Sequence, residues 1–372
     1  MRLRPLPAAC LAVLLCVALS SCSRQEEDAD GTPEPPVGAA VDPDPGEADE
    51  SSPPPETAEE ERPFGTPVGW ASQPLALPAP EDEETEDGAD EDAVDEDTDT
   101  EDAPVEHPGV TGGEAGETVT ATDVEQLTAY LEAEEPLVVE VEGDFDLDGT
   151  VRVASDKTLV GMGEGTEFTG GGLLVDGAEN VVLANLGMVS EGPAVEIRGG
   201  AHHVWVDGST FSGGEDDSLI TVADGADHVT LSWNHFTDAE SAVTIGGGDE
   251  EPGALRVTVH HNFFDGTSER HPRAHNAEHV HVFNNYFRAN PEYGVRSAHG
   301  SQVLVEGNYF ENTPVSVSTE SEEPGNVVTR DNLLVDSDQP EPRGTVPDPP
   351  YAYELDDTVN VPELVMGRAG SD

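Results

Sequence analysis

Val257-Thr258-Val259-His260-His261-Asn262-Phe263-Phe264 returns 23 residues later as Val280-His281-Val282-Phe283-Asn284-Asn285-Tyr286-Phe287, and again as Val303-Leu304-Val305-Glu306-Gly307-Asn308-Tyr309-Phe310. Each copy opens on a short Val/Leu alternation, the pattern of a half-buried strand. Asn follows at one fixed offset, and an aromatic residue two places further on. Outward from these copies, rows of the same kind start at Val181, Val204, Val229 and Val327, spaced 23 to 28 residues apart. The Asn column runs through Asn234, Asn262, Asn285, Asn308 and Asn332. The second column runs through Phe211, Phe236, Phe264, Phe287, Phe310 and Leu334.

A fixed period in the twenties, with strands and aligned columns, is the mark of a solenoid. A leucine-rich repeat would need a Leu framework and a helical half, and a propeller a longer period. The expected fold is all-β, a right-handed parallel β-helix. Stacked Asn side chains would bond to one another and to turn backbone, and stacked aromatics would fill the interior. Thr122-Asp123 before Val124, Leu127 and Leu131 reads as the start of an N-terminal capping helix. Such a helix covers the open end of the stack. The tail, Pro350-Tyr351-Ala352-Tyr353 with Leu355-Asp356 and Val361-Pro362, is expected to fold back over it.

Composition divides the chain into three. In residues 1–22, Arg2 and Arg4 precede an apolar run that ends in Leu19-Ser20-Ser21-Cys22. This reads as a secretory signal of the lipoprotein type, with Cys22 as the acylated residue. All three Cys lie here, so the body has no disulfide and cannot use cysteine chemistry. Residues 23–117 carry 32 acidic residues against 2 Arg. They have little to bury beyond Phe64 and Trp70, and read as a disordered acidic tether with one sticky spot. Residues 118–372 hold the repeat. The expected location is the outer face of the cell membrane, held there through the lipid on Cys22.

The whole chain has 79 acidic and 15 basic residues, a net charge of −64. Such a chain is a poor partner for nucleic acid. It repels its own copies at low salt, which favours a soluble monomer. High salt would screen that repulsion.

Positive charge is scarce, yet Arg270, Arg273 and Arg296 fall close together. They sit in Glu269-Arg270-His271-Pro272-Arg273-Ala274-His275 and Gly294-Val295-Arg296. A local cationic patch suits an anionic ligand; the other reading is that each Arg pairs with a nearby acid. Adjacent His, such as His202-His203 and His260-His261, should point to opposite faces of a strand and so not converge on a metal.

Arg270-His271-Pro272-Arg273, followed by His275, resembles the R-x-P-R-x-R signature of the family 1 pectate lyases. Ser155-Asp156-Lys157-Thr158-Leu159-Val160-Gly161-Met162-Gly163 is similar to that family's K-T-I-x-G-x-G segment. Val204-Trp205-Val206-Asp207 resembles its W-I-D-H, with Gly208 in place of the His. The resemblance runs from about Thr118 to the tail.

The resemblance implies calcium-assisted β-elimination of polygalacturonate (pectate), bound in a groove along one face. It implies that Arg270 abstracts the proton. Arg273, His275 (where a third Arg is expected) and Arg296 would bind the acidic polysaccharide. Ca2+ would be held by Asp217 and Glu191, with Glu215 or Asp216 nearby. The family's substrate-binding Lys falls on Ser241, and one further carboxylate position on Thr221. These departures leave open a lyase for another uronic-acid polymer, or a non-catalytic lipid-anchored β-helix that binds polysaccharide. A polygalacturonase-type hydrolase would use Asp216-Asp217 with Ala298-His299-Gly300, but lacks the Arg-Ile-Lys element that should follow.

Overall fold

In the computed structural model the Val rows become the rungs of a parallel β-helix. Val181, Val204, Val229, Val257, Val280, Val303 and Val327 are successive partners in one register column. Their ten-stranded sheet runs from Glu117–Ala121 to Asn326–Arg330. The structure describes residues 66–74 and 109–371, apart from 164, 215, 216, 248 and 249. The segment with Cys22 and most of the acidic stretch lie outside the described residues.

The remaining strands form a fifteen-stranded sheet that is bent into two faces. The bend falls in Glu167–Asp176. Its first half pairs with Gly187–Ser190 and its second half with Val195–Arg198. Each full rung therefore has three sides. One carries the Phe column, on strands such as Phe263–Asp265 and Tyr286–Arg288. The other carries Ser218–Val222, Ser241–Ile245, Arg273–His275 and Val295–Ala298, and is called the arginine face below.

The corner between the ten-stranded sheet and the Phe face is made by one left-handed residue and the Asn after it. Trp233, His261, Asn284, Gly307 and Asp331 all have φ between 48° and 64° there. Only one of the five is Gly, so tertiary packing holds the other four in a region that costs an L-residue about 1 kcal/mol or more. The following Asn locks the corner. Asn234, Asn262, Asn285 and Asn308 each donate Nδ2–H to the Oδ1 of the next Asn at 3.0 Å. Phe236, Phe264, Phe287 and Phe310 stack inside at 5.0, 5.0 and 4.3 Å.

The left-handed residues overturn the strand rule for the His pairs. With φ of 54° at His203 and 55° at His261, the adjacent rings turn toward each other. Their Nδ1 atoms meet at 2.9 Å in His202–His203 and at 2.8 Å in His260–His261. Burial lowers the pKa of His203, His260 and His261, so these three rings are neutral at neutral pH and His260–His261 is a neutral donor–acceptor pair.

The capping helix spans Val124–Leu131; Asp123 accepts the Gln126 N–H at 2.9 Å, and Leu127 and Leu131 are buried. The tail crosses the outside of the ten-stranded sheet. Tyr351 Oη meets Thr258 Oγ1 at 2.8 Å, and Tyr353 donates to Glu306 at 2.6 Å. It ends in the helix Val361–Met366 on the Phe face, with Val361 and Val365 packed on Phe263 and Tyr286.

Two pieces of the stretch read as tether lie on the body. The outer side of the ten-stranded sheet is not polar throughout: Val160, Val182, Ala184 and Trp205 form an apolar strip, covered by Ala71 and Val110. Residues 66–74 and 109–116 cross this strip as a strap. The Trp70 and Ala71 amides donate to Thr258 Oγ1 and Thr230 Oγ1 at 3.0 and 3.1 Å. The Gly112 and Gly113 amides donate to Asn180 and Thr158 at 2.8 and 3.1 Å. Trp70 sits edge-on to His228, His279 and Tyr351, each 5.5 Å away. The sticky spot is thus a docked element, because a distant part of the chain supplies its partners.

Candidate active site

The arginine face is built by register. Glu196, Thr221, Thr244, Arg273, Arg296 and Ser318 are successive partners across its strands. Arg273 and Arg296 therefore leave neighbouring rungs side by side, about 4.8 Å apart at the backbone. Their neighbours in the column are short hydroxyl residues, which leaves room above the sheet. The Nε atoms of both are buried without a partner. The guanidinium of Arg296 lies over the Tyr293 ring at 3.7 Å. Burial first, and then the charge of Arg270, lowers the pKa of Arg273.

Arg270 stands at the corner that leads into Arg273–His275, with a left-handed backbone (φ 64°). Its carbonyl accepts the Val243 amide at 2.7 Å, which ties the corner to the preceding rung. Its Nε donates to Glu269 at 3.0 Å, and Nη1 reaches Ser218 Oγ at 3.4 Å. Ser218 in turn shares a hydrogen bond with Thr244 Oγ1 at 2.7 Å.

The local-pairing reading holds elsewhere. Arg256 pairs with Asp227, Arg288 with Asp265, and Arg330 with Glu306 and Asp348. Among the described residues, Arg273 and Arg296 have no carboxylate within ion-pair distance. Neither charge is neutralised by a direct ion pair, which leaves both available to an anion.

His275 lies two residues along from Arg273 on the same side of the strand, with its ring 4.6 Å from that of His299. Burial and then Arg273 push it down to about 4. It is neutral at neutral pH, so it offers a hydrogen bond where an Arg would offer charge. Ser241 is buried, and pairs in register with Ser218.

Asp217 and Glu191 are exposed at the corners of adjacent rungs. Asp217 directly precedes Ser218. Glu191 follows Ser190, the register partner of Gly213. Glu215 and Asp216 lie outside the described residues. Among the described residues no three His, Cys, Asp or Glu side chains converge as metal ligands. Calcium takes six to eight oxygens, so these two carboxylates alone do not fit a permanently held ion.

Sequence reading missed Tyr293 and Glu269 as parts of the site. Both sit in the stretch that drew attention, but nothing in one-dimensional spacing says that Tyr293 stacks under Arg296. Tyr293 is buried, its hydroxyl has no partner, and burial and then Glu269 raise it to about 12.

A family model described as pectate lyase matches residues 104–339. A pectate trisaccharide-lyase of Bacillus licheniformis is 33% identical over 284 residues, which is 70% of this chain and 83% of that protein. One of Thermotoga maritima is 32% identical over 183 residues, 44% of this chain and 49% of its own length. Among solved structures, a pectate lyase from Bacillus sp. N165 in complex with trigalacturonate superposes with a TM-score of 0.65 at 25% identity. The match covers 71% of this chain and 96% of that one.

Proposed function

Since this chain belongs to the pectate lyase family, we propose that its arginine face binds polygalacturonate and cleaves it by β-elimination. The observation that carries the proposal is the Arg273–Arg296 ladder, two unpaired guanidinium groups on adjacent rungs, beside Arg270. A guanidinium matches a carboxylate through two parallel hydrogen bonds. Arg273 and Arg296 hold uronate carboxylates, with His275 as a neutral hydrogen-bond partner.

Arg270 takes the C5 proton. The freed electron pair forms the C4–C5 double bond, and the C4–O bond breaks. The departing oxygen leaves with its pair and takes a proton from solvent. Glu269 occupies Arg270 Nε and Ser218 lies 3.4 Å from Nη1, which leaves Nη2 for the sugar. A guanidine is a poor base unless its protonated form is opposed, and Arg273 and Arg296 are the cations gathered beside it. The same charges stabilise the carbanion that develops beside the carboxylate.

Calcium is proposed as an exchangeable partner. Asp217 and Glu191 would be its protein-side residues, and it would supply positive charge against the uronate carboxylate. Export as a monomer to the outer face of the cell membrane, anchored at Cys22, completes the proposal. Metabolic labelling with a fatty acid, lost in Cys22→Ala, tests the anchor.

The direct test of the chemistry is ultraviolet absorbance of unsaturated uronide. The full chain is incubated with polygalacturonate, with and without calcium, at low and high salt. Absorbance that grows only with calcium supports the elimination and the calcium requirement. Reducing ends without absorbance would mean hydrolysis. Binding without either product would leave a polysaccharide-binding protein on a lyase scaffold.

A further inference from the structure

The arginine face does not end at Arg296. Its last strand is Val317–Ser318, and Ser318 is the register partner of Arg296. Ser318 therefore stands one rung further along the same column, about 4.8 Å away at the backbone. Residues 338–341 run beside this strand. The Asp338 amide donates to the Pro314 carbonyl at 3.1 Å, and the Asp338 carbonyl accepts the Ser316 hydroxyl at 2.7 Å. Between the two segments lies a cavity of about 410 Å³. That volume is within the range of small-molecule sites.

Its lining differs in kind from the two rungs before it. Glu320, Asp338 and Glu341 line the cavity, and no Lys or Arg does. These carboxylates are not a metal site, since among the described residues no three acidic or His side chains converge as ligands. Thr319 and Gln339 add uncharged hydrogen-bonding groups. Val315 adds apolar surface: it is 39% exposed, although Ser316 and Val317 beside it are buried. A polyuronate held at Arg273 and Arg296 and continued along the column reaches this cavity. A free carboxylate there meets three like charges, and an ester of that carboxylate does not.

We propose that this cavity is a specificity subsite, which selects a methyl-esterified uronate beyond the free uronates held by Arg273 and Arg296. The inference rests on the arginine face being the polygalacturonate groove. The ester methyl packs on Val315, and its carbonyl oxygen accepts from Gln339 or Thr319. Glu320, Asp338 and Glu341 act by rejection: like charges set together suppress the wrong ligand more than they favour the right one. The preferred substrate is then a partly esterified chain, free where the arginines lie and esterified one step on. The preference is electrostatic, so it fades in about 1 M salt, where the Debye length is roughly 3 Å.

The test compares polygalacturonate with a sparsely methyl-esterified preparation, using the full chain at low salt and mass spectrometry of the products. Methyl esters are expected to be enriched at least about threefold at one fixed position on one side of the cut bond. Glu320→Gln combined with Glu341→Gln alters two exposed side chains outside the proposed catalytic group. That variant should lose the enrichment and gain about threefold to tenfold in kcat/KM on polygalacturonate. Calorimetry with short oligogalacturonides, esterified at a single residue or at none, reads the same preference without turnover. Tighter binding of one singly esterified oligomer by the parent, lost in the double variant, supports the subsite even where no unsaturated uronide forms; that result would overturn the elimination alone. Esters scattered at random among the products overturn the subsite. So does a preference that the double variant keeps, or equal binding of every oligomer by the parent.

Discussion

The Arg296 guanidinium is stacked on Tyr293, 3.7 Å from its ring centroid, while the Tyr293 hydroxyl is buried and unpartnered. The ring, and not the hydroxyl, is what positions the Arg. A cation over an aromatic face is worth roughly 1–2 kcal/mol when partly desolvated. Tyr293→Leu is therefore expected to lower kcat/KM on polygalacturonate by about fivefold to thirtyfold, mostly through KM. Tyr293→Phe should sit close to the parent. Equal losses in the two variants would mean that the hydroxyl has a role of its own.

Arg270→Ala should remove the proton acceptor and lower kcat at least about a hundredfold, with circular dichroism unchanged. Glu269→Gln keeps the shape and an oxygen that can accept from Arg270 Nε but removes the negative charge, so a smaller loss is expected, with KM little affected. An Arg270→Ala variant that turns over normally would assign the proton to another group.

Acid should destabilise the fold. Burial holds His203 and His271 at about 4, below the ordinary 6.5. Between those values the unfolded chain binds more protons than the native one. Their contribution is present above about pH 6.5 and is lost as pH falls toward 4. Asp207 runs the other way: burial raises it from 3.8 to about 6, so its contribution is present below 3.8 and is lost as pH rises through 6. His235, His260, His261, His279 and His281 are all lowered as well, and add to the first group. The urea midpoint, measured in about 1 M salt to screen the net negative charge, should be lower at about pH 5 than at about pH 7. A higher midpoint at about pH 5 would show that these imidazoles are not buried as neutral groups.

Trp70→Ala should release the strap without unfolding the helix beneath it. Hydrogen exchange is the readout. The amides of residues 70 and 71, bonded to Thr258 and Thr230, should lose protection, while the inward Val column keeps it. Loss of protection in both regions together would make the strap part of the cooperative core.

Asn262→Ala should be among the costliest polar substitutions. Asn262 Oδ1 accepts the backbone and side-chain N–H of Asn234, and Nδ2 donates to the Leu231 and His260 carbonyls. Leaving these buried groups unpaired costs about 3 kcal/mol or more. The urea midpoint measures it, and a cost under about 1 kcal/mol would show that neighbouring rungs re-pair the ladder.

Much of this molecule is legible in one dimension because its rungs are local. A residue in one strand pairs with a residue 20 to 29 positions away, so periodicity of Val, Asn and Phe states the register directly. The capping helix, with its Asp123 cap, is equally local. The same logic let spacing bring Arg273 and Arg296 together, one rung apart.

What spacing could not decide is whatever depends on distant or outward contacts. The acidic composition of residues 23–117 hid the docking of Trp70, since its partners, Thr258 and Tyr351, lie about 190 and 280 residues on. Strand alternation misplaced His203 and His261, because packing holds each in a left-handed conformation that no local propensity favours. Sequence alone thus determined the repeat, its register and the gathering of scarce positive charge. The tertiary structure decided which arginines stay unpaired, which histidines are neutral, and which polar groups are buried without a partner. The physical reason is that charge state and pairing depend on solvent exclusion and on neighbours in space, and a linear chain specifies neither until it has wound.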